Sequence, residues 1–99
     1  MMRGDIRRAL ALVRRRTHRG PPVEARLLEK PDCGLCAEAH RALRRVALDV
    51  PLEIERVDIT KDPALFERYA LRIPVVVVGE RELDAAGVDD GALRAWLRG

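Results

Sequence analysis

Cys33 and Cys36 are the only two cysteines of the chain, and two residues, Gly34 and Leu35, separate them. A disulfide that closes so short a loop removes little conformational entropy from the unfolded state, which makes it a poor structural cross-link. Two closely spaced cysteines without further cysteines favour a thiol–disulfide exchange site over a disulfide-stabilised secreted scaffold. In such a site one cysteine attacks as the thiolate and the second resolves the mixed disulfide. We assign these roles to Cys33 and Cys36, respectively.

The position of the pair predicts different environments for the two sulfurs. Lys30, Pro31 and Asp32 form a predicted turn, and a helix is predicted to begin at Cys33. The unpaired N–H groups and partial positive charge of a helix N-terminus should lower the pKa of Cys33 below the free value of about 8.5. Lys30 would favour the thiolate if its ammonium reaches the sulfur, and Asp32 would oppose it. Cys36 lies one turn later in the apolar stripe of the helix, which predicts a shielded thiol.

Two other interpretations of the cysteines remain open. In the first, both are buried and behave as small hydrophobic residues. In the second, they bind a metal, with His40 as a third ligand and His18 as a distant fourth. Structural zinc sites usually have four ligands, often arranged as two closely spaced pairs. This set matches that arrangement poorly, so we predict no metal.

Hydrophobic periodicity and turn signals predict four strands and three helices after residue 22. Pro51 ends the first helix, Asp62 and Pro63 form a favourable helix start, and the four valines Val75–Val78 predict a buried strand. The strands are predicted at 23–29, 52–59, 75–78 and near 81–85, and the helices begin at 33, 63 and 92. The alternating pattern slips at Arg56, which predicts a bulge or a twisted edge there.

The element order, β-α-β-α-β-β-α, predicts an α/β domain over residues 23–99. A strand–helix–strand unit requires a right-handed parallel crossover. The short turn at Gly79 and Glu80 pairs the last two strands antiparallel, and Asp89 or Asp90 caps the last helix. The prediction is a four-stranded mixed sheet with flanking helices.

Residues 1–22 differ from the rest of the chain in charge. They carry seven arginines against one acidic residue, whereas residues 23–99 carry twelve basic and fifteen acidic residues. Ile6, Leu10 and Val13 fall at helical spacing, so we predict a basic extension that is a surface helix or a frayed tail. An arm for an acidic partner, nucleic acid or an anionic membrane, and a targeting presequence, remain alternatives. The mildly acidic body argues against a nucleic-acid-binding domain.

No apolar stretch approaches the roughly 20 residues of a membrane-spanning helix, and none near the N-terminus resembles the core of a signal peptide. We therefore expect a cytoplasmic monomer that does not associate with membranes.

Two segments resemble the signatures of glutaredoxins. Residues 30–36 resemble the K-x-x-C-x-x-C active site, and residues 72–76 resemble the T-V-P-x-V segment about forty residues later. The likeness is greatest to short bacterial glutaredoxin-like proteins with a C-x-L-C site. It implies a thioredoxin-like fold and a cis bond before Pro74, with the N–H and C=O of Ile73 pairing with an extended substrate. It also implies substrate-binding roles for a further set of residues: Lys30, Gly34, Leu35 and Asp89.

The chain departs from the glutaredoxin pattern at three places. Gly34 and Leu35 replace the usual Pro-Tyr pair, Arg72 replaces a threonine, and residues 85–89 keep only one glycine of a G-G-x-D-like turn. Glutathione and a disulfide-containing protein therefore both remain as partners, with no cofactor required and the reductase unknown. Gly34 also keeps open an iron–sulfur carrier ligated through Cys33. A binding adaptor without catalysis is the third alternative.

Overall fold

The computed structural model describes residues 21–99. The helix predicted around Ile6, Leu10 and Val13 lies outside the described residues, as does most of the basic extension. Within the described part of the chain, no helix is long and apolar enough to cross a membrane.

Seven regular elements and one short 3-10 turn follow each other in the predicted order. The strands are β1 (Val23–Glu29), β2 (Leu52–Asp58), β3 (Val75–Val78) and β4 (Arg81–Asp84), and the helices are α1 (Gly34–Val46), α2 (Pro63–Tyr69) and α3 (Asp90–Leu97). The 3-10 turn, Ile59–Lys61, connects β2 to α2. This is the predicted α/β architecture.

The four strands form one mixed sheet in the order β2-β1-β3-β4. β1 pairs in parallel with β2, while the β1–β3 and β3–β4 pairs are antiparallel. The predicted parallel crossover and final hairpin are both confirmed. β1 and β3 occupy the centre of the sheet, and Leu27, Leu28, Val75 and Val76 are buried there.

Two hydrophobic clusters cover the opposite faces of the sheet. On one face, α1 and α3 pack on β1 through buried side chains that include Leu27, Leu43 and Leu93. On the other face, α2 packs through Tyr69 against Leu28 and its neighbours. Successive residues of a strand point to opposite faces, so Leu27 and Leu28 contribute to different clusters. This arrangement places the first turn of α1 above one end of β1.

The N-termini of two helices follow the predicted capping pattern. The Asp62 carboxylate accepts hydrogen bonds from the N–H groups of Ala64 and Leu65, and Pro63 occupies the first turn of α2. Asp89, rather than Asp90, caps α3 by accepting from the N–H of Ala92. These side chains satisfy backbone donors that the helix itself leaves unpaired.

Helix ends differ from the prediction by a few residues. α1 ends at Val46 because the N–H groups of Leu48 and Asp49 bond three residues back, to Arg45 and Val46, in tighter turns. α2 ends at Tyr69, whereas the apolar residues of the sequence predict a helix that runs towards Leu71. The N–H of Arg72 bonds three residues back, to the carbonyl of Tyr69, so the chain tightens into a turn there.

The bulge predicted at Arg56 is wrong. Pairing between β1 and β2 runs without interruption from Val23 opposite Leu52 to Glu29 opposite Asp58. β2 is instead a regular strand at the edge of the sheet. The alternation slips because Arg56 extends toward Glu29 and forms an ion pair with it, so a charged side chain takes a position that otherwise would be apolar.

Candidate active site

Four connecting segments lie at the same end of the sheet, where β1, β2 and β4 end and β3 begins. Glu29 pairs with Asp58 at the ends of β1 and β2, and Leu28 pairs with Val75 at the start of β3. Val75 in turn pairs with Asp84 at the end of β4. The segments that continue from these residues are 30–33, 59–62, 72–74 and 85–89. The cysteines, the proline turn and the turn before α3 therefore share one end of the domain.

Cys33 occupies the N-cap position of α1. Its backbone is extended, and its sulfur accepts a hydrogen bond from the N–H of Cys36 at 3.2 Å. The preceding residue, Asp32, has a positive φ of 59°, a conformation that aspartate tolerates better than most residues. This turn brings the chain from β1 into the first turn of α1.

Cys33 and Cys36 form a disulfide, with their Cα atoms 5.2 Å apart. Only 1% of Cys36 is exposed, because it lies on the buried side of α1, whereas Cys33 is partly exposed. An incoming molecule therefore meets Cys33 first, and Cys36 is reached only through Cys33. The predicted shielding of Cys36 is confirmed.

A groove of about 480 Å³ opens beside Cys33, between the start of α1 and the end of β2. Among the predicted site residues, Lys30, Cys33 and Gly34 line it together. A Cβ added at Gly34 would meet no atom within 4 Å. The structure therefore has room for a side chain at this position, and Gly34 is not required by packing.

The groove also contains an ion pair that the sequence analysis missed. Arg56 donates to Glu29 through Nε at 2.6 Å and through Nη2 at 3.0 Å, which makes a two-point contact. Glu29 is the one buried charged residue within residues 21–99, with 8% of its surface exposed. A buried carboxylate needs such a partner because removal from water is costly. The slip of the alternating pattern at Arg56 was the available signal.

His40 lies two turns beyond Cys33 on α1 and is half-buried. Burial lowers its pKa, with a further lowering by the charge of Arg56 and an opposing influence of Glu29. Within the described residues, no three side chains of the types His, Cys, Asp and Glu are grouped as a metal site. The set of Cys33, Cys36 and His40 is thus not assembled, and His18 lies outside the described residues.

Leu35 and Asp89 line a second groove, on the side of α1 that faces the turn before α3. Leu35 is 51% exposed, and Asp89 is occupied as the cap of α3. Gly87 in this turn has a positive φ of 72°, so it fills a backbone position that favours glycine. The predicted site residues are therefore divided between the two sides of the first turn of α1.

Ile73 and Pro74 lie at the same end of the sheet but line neither groove. The bond between them is cis, and Pro74 is fully buried. The N–H of Ile73 donates to the carbonyl of Tyr69 at 3.1 Å. The expectation that this N–H is free to receive a substrate strand is therefore wrong, because the last turn of α2 already uses it.

Comparison with known proteins agrees with this geometry. Residues 24–98 match the model of a family described as Glutaredoxin-like domain (DUF836). The crystal structure of the structural-genomics target protein XcR50 from X. campestris is similar, with a TM-score of 0.66 and 36% identity over 75% of this chain and 95% of that chain. The solution structure of XcR50 gives a TM-score of 0.63, with 36% identity over 75% of this chain and 91% of that one.

No curated protein matches the chain. Apart from Val23, the matching family model covers all seven regular elements, including the strand–helix junction that carries Cys33 and Cys36. The chain therefore belongs to the glutaredoxin-like domain family and has a thioredoxin-like fold.

Proposed function

We propose that the domain is a thiol–disulfide oxidoreductase that works by dithiol exchange. The observation that supports this most strongly is the asymmetry of the cysteine pair. A partly exposed Cys33 caps α1, and a buried Cys36 lies within disulfide distance beneath it. A purely structural disulfide would not need one sulfur at the surface and in contact with an N–H of the first helical turn.

In the reduced protein, the N-terminus of α1 would stabilise the Cys33 thiolate through its N–H groups and partial positive charge. The N–H of Cys36, which contacts the sulfur of Cys33, is one of these donors. Lys30 lies in the same groove and adds positive charge, while Asp32 acts in the opposite direction. The helix terminus is the contribution that the geometry supports directly.

The exchange has two steps that conserve electrons. The Cys33 thiolate attacks one sulfur of the substrate disulfide, forms a mixed disulfide and expels the other sulfur as a thiolate. Cys36 then loses its proton to solvent and attacks the sulfur of Cys33, which releases the second substrate thiol. The substrate gains two electrons, and the protein ends as the Cys33–Cys36 disulfide. A thiol or dithiol reductant must then restore the protein.

The substrate class is a disulfide-containing protein or a mixed disulfide with glutathione, and no resident cofactor is needed. Because the cycle requires a reduced pair, a reducing compartment such as the cytoplasm suits it. We call Ile73 and Pro74 the docking segment. A substrate strand would pair there with the carbonyl of Ile73, since the N–H of Ile73 is already bonded to Tyr69.

An equilibrium redox titration tests the proposal. The full-length protein is incubated with graded ratios of reduced and oxidised glutathione and, separately, with a reduced dithiol, and the thiol state is read after acid quenching. We expect a two-electron transition with at least one of these couples. A disulfide that exchanges with neither reagent would identify the pair as structural and contradict the proposal.

A further inference from the structure

A cluster of five side chains joins the end of α2 to β4, on the sheet face opposite α1. We call it the Tyr69 cluster; its members are Arg68, Tyr69, Arg72, Glu82 and Asp84. Tyr69 is 6% exposed and donates its hydroxyl hydrogen bond to Glu82. The guanidinium groups of Arg68 and Arg72 lie over the Tyr69 ring, at 5.3 and 5.2 Å from its centre.

Arg72 makes most of the polar contacts in this cluster. Its Nη2 donates to Glu82 at 3.0 Å and to Asp84 at 2.9 Å, and its Nε donates to Asp84 at 3.2 Å. Arg68 is more exposed and makes one hydrogen bond in the cluster, to Glu82 at 3.5 Å. A planar guanidinium can bond two carboxylates and a ring at once, which a lysine cannot do. Arg72, three residues after the end of α2, thus makes more hydrogen bonds to β4 than any other side chain of the Tyr69 cluster.

The backbone after Arg72 is held on both sides. The N–H groups of Arg72 and Ile73 both donate to the carbonyl of Tyr69, at 2.8 and 3.1 Å. The carbonyl of Pro74 accepts from the N–H of Ala85 at 2.8 Å, just after β4. The side chain of Arg72 and the backbone of Pro74 therefore connect this short segment to residues 82–85, while its N–H groups connect it to the end of α2.

We propose that Arg72 is a positioning residue that holds the Ile73–Pro74 segment where a polypeptide substrate docks. This inference rests on the proposed function and specifies its substrate as an extended peptide disulfide. The Tyr69 cluster lies on the α2 face, whereas Cys33 and Cys36 belong to α1 on the other face. Loss of Arg72 should therefore weaken substrate docking and leave the reactivity of the Cys33 thiolate unchanged.

The test compares two disulfides of different size with the pre-reduced protein. One is a peptide whose single cysteine forms a mixed disulfide with thionitrobenzoate, and the other is the symmetrical thionitrobenzoate disulfide, which has no peptide backbone. Release of thionitrobenzoate gives the half-saturating concentration and the limiting rate. For Arg72→Ala we expect about a five- to tenfold higher half-saturating concentration of the peptide, with a limiting rate within about twofold. The small disulfide should react as with wild type.

Arg94→Ala is the matched control. Arg94 forms a similar two-point contact, to Asp49 at 3.0 and 3.2 Å, and its side chain is 30% exposed against 36% for Arg72. It lies on α3, away from the docking segment, so its loss should leave both substrates unaffected. Asp84→Asn serves as a second variant if Arg72→Ala does not fold. It should raise the half-saturating concentration of the peptide by a smaller factor.

The outcomes separate the two proposals. If wild type reacts with both disulfides and a folded Arg72→Ala protein shows unchanged peptide saturation, the positioning role is wrong while dithiol exchange stands. An equal rise in the half-saturating peptide concentration for Arg94→Ala would also overturn the positioning role. So would an equally weakened reaction of Arg72→Ala with the small disulfide. No reaction of wild type with either disulfide would overturn dithiol exchange and the positioning role that rests on it.

Discussion

The two ends of α1 are built differently. Its first turn carries a disulfide and opens on a groove, with one sulfur partly exposed. Beyond its middle, Arg45 forms a two-point contact with Asp90, and Asp49 in the following turn forms one with Arg94. Both contacts link the α1 region to α3. One helix therefore serves two purposes, since its far end is anchored while its near end is left accessible for chemistry.

The separation between these regions predicts that substitutions at the first turn of α1 change reactivity and substitutions beyond it change stability. Cys33→Ser should have the largest effect, a loss of disulfide turnover of about a thousandfold or more, because the attacking sulfur is removed. Its free energy of unfolding should stay close to that of the reduced wild type. Turnover and urea denaturation measure the two quantities. Retained turnover would contradict the assignment of Cys33.

Cys36→Ser distinguishes the roles of the two sulfurs in the first turn of α1. Without the buried resolving thiol, the mixed disulfide on Cys33 should accumulate because nothing beneath it can attack. Mass spectrometry of the acid-quenched protein after addition of a peptide disulfide should show a covalent adduct. Wild type, treated identically, should show mainly the internal disulfide. Rapid release of substrate by the variant, without added thiol, would indicate that Cys36 does not resolve the intermediate.

Leu43→Ala tests the anchored part of the helix. Leu43 is fully buried among the residues packed between α1, α3 and the sheet. Loss of its side chain should lower the free energy of unfolding by about 2–5 kcal/mol through lost burial and an unfilled cavity. The rate of Cys33 alkylation in the folded, reduced variant should match wild type. A parallel drop in that rate would show that packing and reactivity are not separable.

Acid should weaken the connection between α1 and α3 before it affects the core. Hydrogen bonds from Arg94 and Arg45 hold the pKa values of Asp49 and Asp90 below their ordinary value of 3.8. Because the folded-state pKa is the lower one, this stabilisation is complete above the unfolded value and is lost as pH falls through the folded value.

The pH dependence has a direct control. In a double variant, Arg45→Ala with Arg94→Ala, the free energy of unfolding should fall less steeply than in wild type between about pH 4 and about pH 2. Urea denaturation followed by circular dichroism at a series of pH values measures both slopes. Identical slopes would mean that these pairs contribute nothing to acid sensitivity.

What could be predicted from sequence depended on local signals. The cysteine pair, the caps at Asp62 and Asp89, and the valine strand are each encoded within a few residues, and the structure contains all of them. The element order then predicted the parallel crossover and the final hairpin of a four-stranded mixed sheet, because few arrangements of such units occur.

The parts that sequence reasoning missed depend on register between distant segments. Glu29 and Arg56 are 27 residues apart, and they meet only because β1 and β2 pair in one particular alignment. Tyr69 and Glu82 are 13 residues apart, and they meet only because the end of α2 packs beside β4. The N–H of Ile73 was misjudged because the resemblance to glutaredoxins does not show the turn after α2, where this N–H donates to the carbonyl of Tyr69.

The most direct test of the account is the pH dependence of alkylation of the reduced protein with limiting iodoacetamide, followed by peptide mapping. The account predicts that Cys33 is alkylated first, with an apparent pKa below the free thiol value of about 8.5, and that Cys36 stays protected while the protein is folded. Preferential modification of Cys36, or an apparent pKa of Cys33 at or above the free value, would contradict it.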